Sequence, residues 1–279
     1  MRTGNFRGFE VTLEDPGIAI ITLNQPDRLN GTTQPMKRDL VETIAQAQMD
    51  EAVRVVMITG SGRAFCAGDD MSGRRPWGDA EALMPDIPPG HGDPIGTYEG
   101  LRWLSQSLNV ALRSLDKLTI AAINGVAIQT GLSLALSCDF RIASKDARLG
   151  SGTLRFGLLP DEGGQFLLVQ TIGLPKTLDF LMRSRIVGAE EALDVGLVHE
   201  VVEPAELMPR AMELAQQMAA KSPVALYYAK ESTNRALHGD IGGNLVHEAD
   251  LYSLMFSTDD AREGLRAFVE KRDPTFIGK

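Results

Sequence analysis

Hydrophobic runs alternate with helical patterns along the first two thirds of the chain. Four apolar runs are rich in β-branched or aliphatic residues and predict strands near residues 18–23, 53–59, 119–123 and 140–143. Apolar positions at helical spacing predict helices near 34–50, 99–115 and 131–137. Strands that alternate with helices in this way indicate right-handed βα units and an α/β fold.

The last part of the chain has a helical pattern only. Helices are predicted at 206–221, 223–237, 243–257 and 260–271. We therefore divide the chain into a core at 1–203 and a helical C-terminal region at 204–279. Asp259 and Asp260 are expected to cap the last helix, because carboxylates are favourable at a helix start.

Two glycine-rich turns directly follow predicted strands. The first is residues 60–71, and the second is residues 124–131, which lead into an apolar helix. Backbone N–H groups at the start of a helix have no partner within the helix, and the helix dipole is positive there. Such turns can therefore hold an anion or a developing oxyanion.

Composition restricts the class of protein further. The chain has 279 residues, 43% of them hydrophobic, which is enough for a large core. Its net charge of −9 argues against nucleic acid or an anionic membrane as a partner. Two cysteines, each in an apolar stretch, suggest neither a disulfide framework nor a metal site. With no apolar run near 18 residues and no secretory pattern at the N-terminus, we expect a cytoplasmic protein.

Residues 71–96 differ from their surroundings, because five prolines and five glycines interrupt every periodic pattern. We expect an irregular loop there. Loops of this length in compact domains are usually functional or disordered, so this one is a candidate lid or pocket wall.

The glycine-rich turns also carry the motifs of a known family. The first signature, G-x-G-x-x-F-x-A-G-x-D, is matched by Gly60, Gly62, Phe65, Ala67, Gly68 and Asp70. The second, around A-x-x-N-G-x-A, is matched by Ala121, Asn124, Gly125, Ala127, Gly131, Leu134, Cys138 and Asp139. Both resemble the crotonase family of enoyl-CoA hydratases and isomerases, and the resemblance runs over nearly the whole chain.

The resemblance implies a crotonase spiral of ββα units, with a helical C-terminal region that assembles a homotrimer or homohexamer. It also implies an acyl-CoA substrate, with coenzyme A as part of the substrate and no permanently bound cofactor or metal. The backbone amides of Asp69 and Thr130 would form the oxyanion hole. Residues that would bind the coenzyme A moiety are Arg28, Leu29, Ala67, Asp70, Met71, Phe268 and Lys271.

The chain departs from the hydratases of this family at their two catalytic glutamates, which are replaced by Ser133 and Thr153. A hydroxyl has no useful pKa for acid/base work near neutrality. Asp161, in the pattern G-L-x-P-D-x-G-G of family isomerases, is our candidate acid/base, with Glu162 as the adjacent alternative. The alternative is structural: either residue would cap the following helix, which would also explain the motif.

Double-bond isomerisation is therefore preferred to hydration, since a single carboxylate can move a proton between two carbons. Two alternatives stay open. One is a hydratase or C–C bond hydrolase that uses acids from the loop, such as Glu99 or Asp86. The other is a catalytically silent acyl-CoA-binding homologue.

Overall fold

The computed structural model describes residues 1–72, 80–87 and 92–279. These residues form eleven strands: β1 Gly4–Phe6, β2 Phe9–Glu14, β3 Ile18–Leu23, β4 Val55–Gly60, β5 Ala64–Cys66, β6 Leu118–Ile123, β7 Val126–Ile128, β8 Phe140–Ser144, β9 Arg148–Gly150, β10 Ile186–Gly188 and β11 Glu200–Val202. They also form ten α-helices: α1 Gln34–Met49, α2 Pro94–Gly100, α3 Gln106–Ser114, α4 Thr130–Ser137, α5 Gly164–Met182, α6 Ala189–Val195, α7 Leu207–Ala219, α8 Pro223–Ala236, α9 Ile241–Phe256 and α10 Asp259–Glu270. A π-helical turn, Leu101–Ser105, joins α2 to α3, and α5 is broken at Gly173.

The strands form two sheets. The larger has seven strands in the order β1-β2-β3-β4-β6-β8-β11, antiparallel at β1 to β3 and parallel from β3 onward. The smaller has four in the order β10-β9-β7-β5, with β9, β7 and β5 parallel. Short strands after β4, β6 and β8 leave the larger sheet and enter the smaller one. The chain therefore winds as the spiral of ββα units that the family resemblance implies.

The core occupies both faces of the larger sheet. One face, with Ile18, Met57 and Ile120, packs on Ala211 and Ala215 of α7. The opposite face packs on α1, α3, α4 and the smaller sheet. The parallel strands β4 and β6 are therefore buried on both sides, which explains why they appear as continuous apolar runs rather than alternating ones.

The larger predicted elements are confirmed with boundaries within a few residues, except that the helix expected at 99–115 is divided into α2, the π-helical turn and α3. The prediction for the last helix needs a correction. Thr258 is its N-cap and accepts from the Ala261 amide at 3.1 Å, whereas Asp259 and Asp260 lie in the first turn. Asp260 is buried and instead accepts from the amides of residues 277 and 278.

Part of the predicted irregular loop, 73–79 and 88–91, lies outside the described residues. The division at residue 203/204 stays a prediction, and α7, beyond it, packs on the larger sheet.

Candidate active site

Two loops meet at the carboxyl ends of the short strands β5 and β7 of the smaller sheet. The first loop, residues 66–70, follows β5, and the second loop, residues 128–131, joins β7 to α4. In the described part of the chain, neither the Asp69 nor the Thr130 backbone N–H donates to a protein acceptor. Thr130 is the first residue of α4, where a free N–H is expected. The two amides assigned to the oxyanion hole are thus available as donors.

Close packing of the two loops depends on one glycine. A Cβ on Gly131 would lie 1.9 Å from the carbonyl oxygen of Cys66, so no side chain fits there without moving the loops apart. A Cβ added to Gly68, which has a φ of +110°, would lie 3.3 Å from the Cβ of Gln129. The distance between the loops is therefore set by contact between backbone atoms rather than by flexible side chains.

Gln129 occupies a conformation that usually belongs to glycine. Its φ of 56° and ψ of −114° are unfavourable for an L-residue with a Cβ. Its side chain is held by two hydrogen bonds, since Oε1 accepts from the Ser151 hydroxyl at 2.8 Å and from the Gly152 amide at 2.9 Å. These two bonds stabilise a glutamine at a position where the family has glycine. They also connect the second loop to the segment that leads to Thr153.

The carboxylate of Asp69 does not stand unpaired beside its own amide. Its Oδ1 accepts from the hydroxyls of Thr32 and Thr130 at 2.9 and 3.0 Å, and it forms an ion pair with Lys37 Nζ at 2.7 Å. An isolated carboxylate would oppose an enolate at this position. Here two hydroxyl donors and a neighbouring ammonium offset part of that charge.

Asp161 and Glu162 lie in the turn at residues 160–164 that opens α5, which we call the carboxylate turn. The Asp161 side chain is exposed, and its backbone carbonyl accepts from Gln106 Nε2 at 2.7 Å. Glu162 is only 3% exposed, and its Oε1 pairs with Lys37. The two adjacent carboxylates therefore have opposite environments, one facing solvent and one facing the interior.

Burial raises the pKa of Glu162, and the neighbouring charge of Lys37 opposes that rise. Its second oxygen, Oε2, is buried and has no hydrogen-bond partner among the described residues. A small cavity of about 10 Å³ lies here, lined by residues that include Thr130, Ser133, Asp161 and Glu162. The carboxylate turn and the second loop thus border the same space.

Ser133 and Thr153 stand where family hydratases have glutamates. Ser133 is buried on α4 and lines this cavity. Thr153 begins a short 3-10 helix, and its hydroxyl is buried without a partner in the described structure. Neither position offers a carboxylate.

The loop acids lie elsewhere. Glu99 is exposed on α2, and Asp86 forms an ion pair with Arg7 at 2.6 Å. His91, in the same irregular loop, lies outside the described residues. Within the ranges that the structure covers, neither Glu99 nor Asp86 lines the cavity beside Glu162.

A second cleft, of about 510 Å³, is lined by residues of the first loop. Four of the residues assigned to coenzyme A line it: Arg28, Ala67, Asp70 and Met71. Leu29 is adjacent and accepts from the Ala67 amide through its carbonyl at 3.0 Å. Arg28 forms an ion pair with Asp70, so part of its charge is already engaged.

Phe268 and Lys271 are not brought to this cleft. Phe268 is 83% exposed on α10, and Lys271 is the C-cap residue of that helix. A contact with a bound ligand would therefore require a neighbouring subunit, and their assignment stays a prediction.

Three other features were considered: a metal site, a cysteine nucleophile and a membrane-spanning helix. Among the described side chains, no three His, Cys, Asp or Glu residues are grouped so as to hold a metal ion. Burial raises the pKa of the Cys66 thiol to about 12, which leaves it a poor nucleophile. In the ranges covered by the structure, no helix is both long and apolar enough to cross a bilayer.

The sequence matches the profile of the enoyl-CoA hydratase/isomerase family over residues 14–83 and 91–279. The chain belongs to this family. It is 37% identical over 268 residues to YngF of Bacillus subtilis, a match that covers 96% of this chain and 97% of YngF. It is 34% identical over 266 residues to the short-chain-enoyl-CoA hydratase of Clostridium acetobutylicum, covering 94% and 95% of the two chains.

A relative named as an isomerase is similar to this chain to nearly the same degree. The 1,2-epoxyphenylacetyl-CoA isomerase of Escherichia coli is 33% identical over 269 residues, with 95% of this chain and 97% of that protein covered. The crystal structure of an enoyl-CoA hydratase from Bacillus anthracis superposes with a TM-score of 0.87 at 30% identity, covering 98% and 100% of the chains. The crotonase fold is thus confirmed, while overall similarity does not separate isomerase from hydratase.

Lys37 and Thr32 are the site residues that sequence reasoning missed. A single lysine in an amphipathic helix normally indicates a solvent-facing position. Its ion pair with Glu162 joins residues 125 positions apart, which no local pattern could reveal.

Proposed function

We propose that this enoyl-CoA hydratase/isomerase family enzyme shifts the double bond of an enoyl-CoA thioester, with Asp161 as acid/base. One observation carries the proposal. Hydroxyl residues stand at both hydratase glutamate positions, while a carboxylate turn borders the same cavity as Thr130. A site without that glutamate pair, but with an adjacent carboxylate, suits a proton shift better than the addition of water.

The Asp69 and Thr130 amides would donate to the thioester carbonyl oxygen as negative charge develops there. Oriented donors of this kind stabilise a transition state by about 3–4 kcal/mol each. Asp161 would remove a proton from one carbon, leaving a dienolate, and return the proton to a carbon two positions away. Charge is conserved at each step, because the proton that the substrate loses is carried by the carboxylate.

The cleft beside the first loop is proposed to hold the coenzyme A part of the substrate. Its lining by the half-buried Arg28 supports this, since a guanidinium can pair with phosphate. A homotrimer or homohexamer is proposed on the family resemblance. In such an assembly, Phe268 and Lys271 would contact the ligand of a neighbouring subunit.

Substitution of the proposed base tests this function. Asp161→Asn should lower kcat for 3-enoyl-CoA by about 100-fold or more, because general acid/base groups contribute about 10²–10⁴ in rate. Binding of the acyl-CoA should be retained, as measured by calorimetry. Asp194→Asn, at an exposed aspartate of α6, is the matched control and should leave kcat unchanged.

Unchanged turnover in Asp161→Asn would remove Asp161 from the mechanism. Glu99→Gln tests the rival in which a loop acid acts. If Glu99→Gln abolished turnover while Asp161→Asn did not, a hydratase or hydrolase that uses the loop would be favoured.

Hydration is the second candidate, and a specific observation favours it. The cavity of about 10 Å³ between Ser133 and Glu162 is about the size that one water molecule needs. Glu162 Oε2, which lacks a partner among the described residues, could accept a proton from such a water. Loss of hydration of 2-enoyl-CoA in Glu162→Gln would support this candidate.

A further inference from the structure

A buried lysine connects the two halves of the candidate site. Lys37, on α1, has no exposed surface, and its ammonium pairs with both Asp69 Oδ1 and Glu162 Oε1. A buried charge is costly unless it is paired and hydrogen-bonded. A buried lysine with two ion-pair partners therefore suggests a role beyond packing.

The partners of Lys37 belong to the two segments whose relative position matters most for the reaction. Asp69 supplies the amide of the first loop, and Glu162 directly follows Asp161 in the carboxylate turn. Asp69 Oδ1 also accepts from the hydroxyl of Thr130, the residue that supplies the amide of the second loop. Lys37 is thus one ion pair away from the first loop and from the turn, and the Thr130–Asp69 hydrogen bond connects it to the second loop.

The charges in this cluster do not cancel completely. Two carboxylates share one ammonium, and Glu162 Oε2 is buried with no partner among the described residues. The ionisable groups around Glu162 are Lys37, Asp69, Asp161 and the buried thiol of Cys66. Lys37 is the group among them that favours the ionised form of Glu162.

We propose that Lys37 is a positioning residue that holds the carboxylate turn against the first loop and, together with Asp69, sets the ionisation of Glu162 in that turn. This inference rests on the proposed use of the carboxylate turn, whichever reaction that turn serves. Lys37 contacts no substrate in this role. It acts through Asp69 and Glu162.

Two substitutions with opposite effects test the proposal. Lys37→Met removes the positive charge, so the acid limb of the kcat–pH profile should move to higher pH by about 1 unit. Asp69→Asn keeps the backbone amide and an acceptor oxygen but removes a negative charge. Its acid limb should therefore move to lower pH. Coupled carboxylates have apparent pKa values that belong to the group rather than to one residue, so the limb is read for the site as a whole.

The rates supply a second readout. Lys37→Met should lower kcat about 100-fold, the effect of a misplacement near 1 Å, with KM changed less than about threefold. Lys37→Arg keeps the positive charge, so its kcat should be at least about tenfold higher than that of Lys37→Met. Its acid limb should lie at the original pH. Lys176→Met, at an exposed lysine of α5, is the control and should behave as the unmodified enzyme.

An acid limb that stays at its original pH in both Lys37→Met and Asp69→Asn would overturn the proposal. A kcat of Lys37→Met within about threefold of that of the unmodified enzyme would overturn it too. Should Lys37→Met fail to fold, Asp69→Asn alone decides, and an unmoved limb refutes the idea. All variants are measured on the reaction that the unmodified enzyme performs. Hydration by that enzyme would refute the proposed isomerisation and leave this test valid.

Discussion

Gly131→Ala is the sharpest perturbation that the structure offers, because it adds one methyl group at the contact between the two loops. The new Cβ would lie 1.9 Å from the Cys66 carbonyl oxygen and 2.8 Å from its carbonyl carbon. Carbon and oxygen atoms that are not bonded normally stay more than about 3 Å apart. The loops must therefore separate by roughly 1 Å.

The expected effect on rate is larger than the effect on stability. Overpacking of a close-packed site costs about 1–3 kcal/mol of unfolding free energy. A shift of about 1 Å between the Asp69 and Thr130 amides removes one oxyanion donor from its position, which lowers kcat about 10²–10³-fold. The variant should therefore fold, with a reduced Tm, and have almost no turnover.

Steady-state kinetics with an enoyl-CoA substrate, beside thermal unfolding followed by circular dichroism, measure both effects. Gly152→Ala is the matched control, because no atom lies within 4 Å of its added Cβ and its N–H to Gln129 is kept. It should retain kcat within about threefold. The same retention in Gly131→Ala would refute the role of the two loops as an oxyanion hole.

Three further predictions concern the surroundings of the site and the C-terminus. Gln129→Ala should lower the unfolding free energy by about 1–2 kcal/mol in urea, because the hydrogen bonds from Ser151 and Gly152 are lost while the unfavourable φ remains. Cys66 and Cys138 should resist iodoacetamide near pH ~8 until the protein unfolds, because burial raises the pKa of both thiols to about 12. Hydrogen bonds from Arg272 lower the pKa of Glu263 from 4.5 to about 2. A carboxylate whose pKa is lowered in the folded state stabilises the fold above pH 4.5, and this stabilisation is lost as the pH falls towards 2. Glu263→Gln removes this contribution, so its Tm should depend less on pH over this range.

Matched variants serve as controls for two of these. Gln216→Ala and Glu248→Gln, both at exposed helical positions, should leave the urea midpoint and the acid dependence of Tm unchanged. Rapid labelling of the cysteines in the folded protein, or an acid dependence of Glu263→Gln equal to that of the unmodified protein, would contradict the corresponding predictions.

The fold was predictable where burial leaves a continuous local pattern. Strands β3, β4, β6 and β8 have five or six residues each, and their apolar runs predicted them. The strands of the smaller sheet have three residues each, which is too short for a periodic signal. Tertiary pairing, rather than local preference, determines these strands.

The candidate site was predictable where the backbone forms it. The glycine-rich motifs identified both loops and the turn that carries Asp161. The environment of Asp69 was not predictable, since the partners of its carboxylate include Lys37 and Thr32, which come from a distant helix and the turn before it. Likewise, only the structure separates the exposed Asp161 from the buried Glu162, because adjacent residues in a turn have the same sequence context.

Identification of the product formed from 3-enoyl-CoA by the unmodified enzyme tests the central claim most directly. Mass spectrometry together with ultraviolet detection of the conjugated thioester would follow the reaction. Proton transfer by one carboxylate beside the two amides predicts 2-enoyl-CoA of unchanged mass. A product that has gained one water, or that has lost part of its acyl group, would contradict the account.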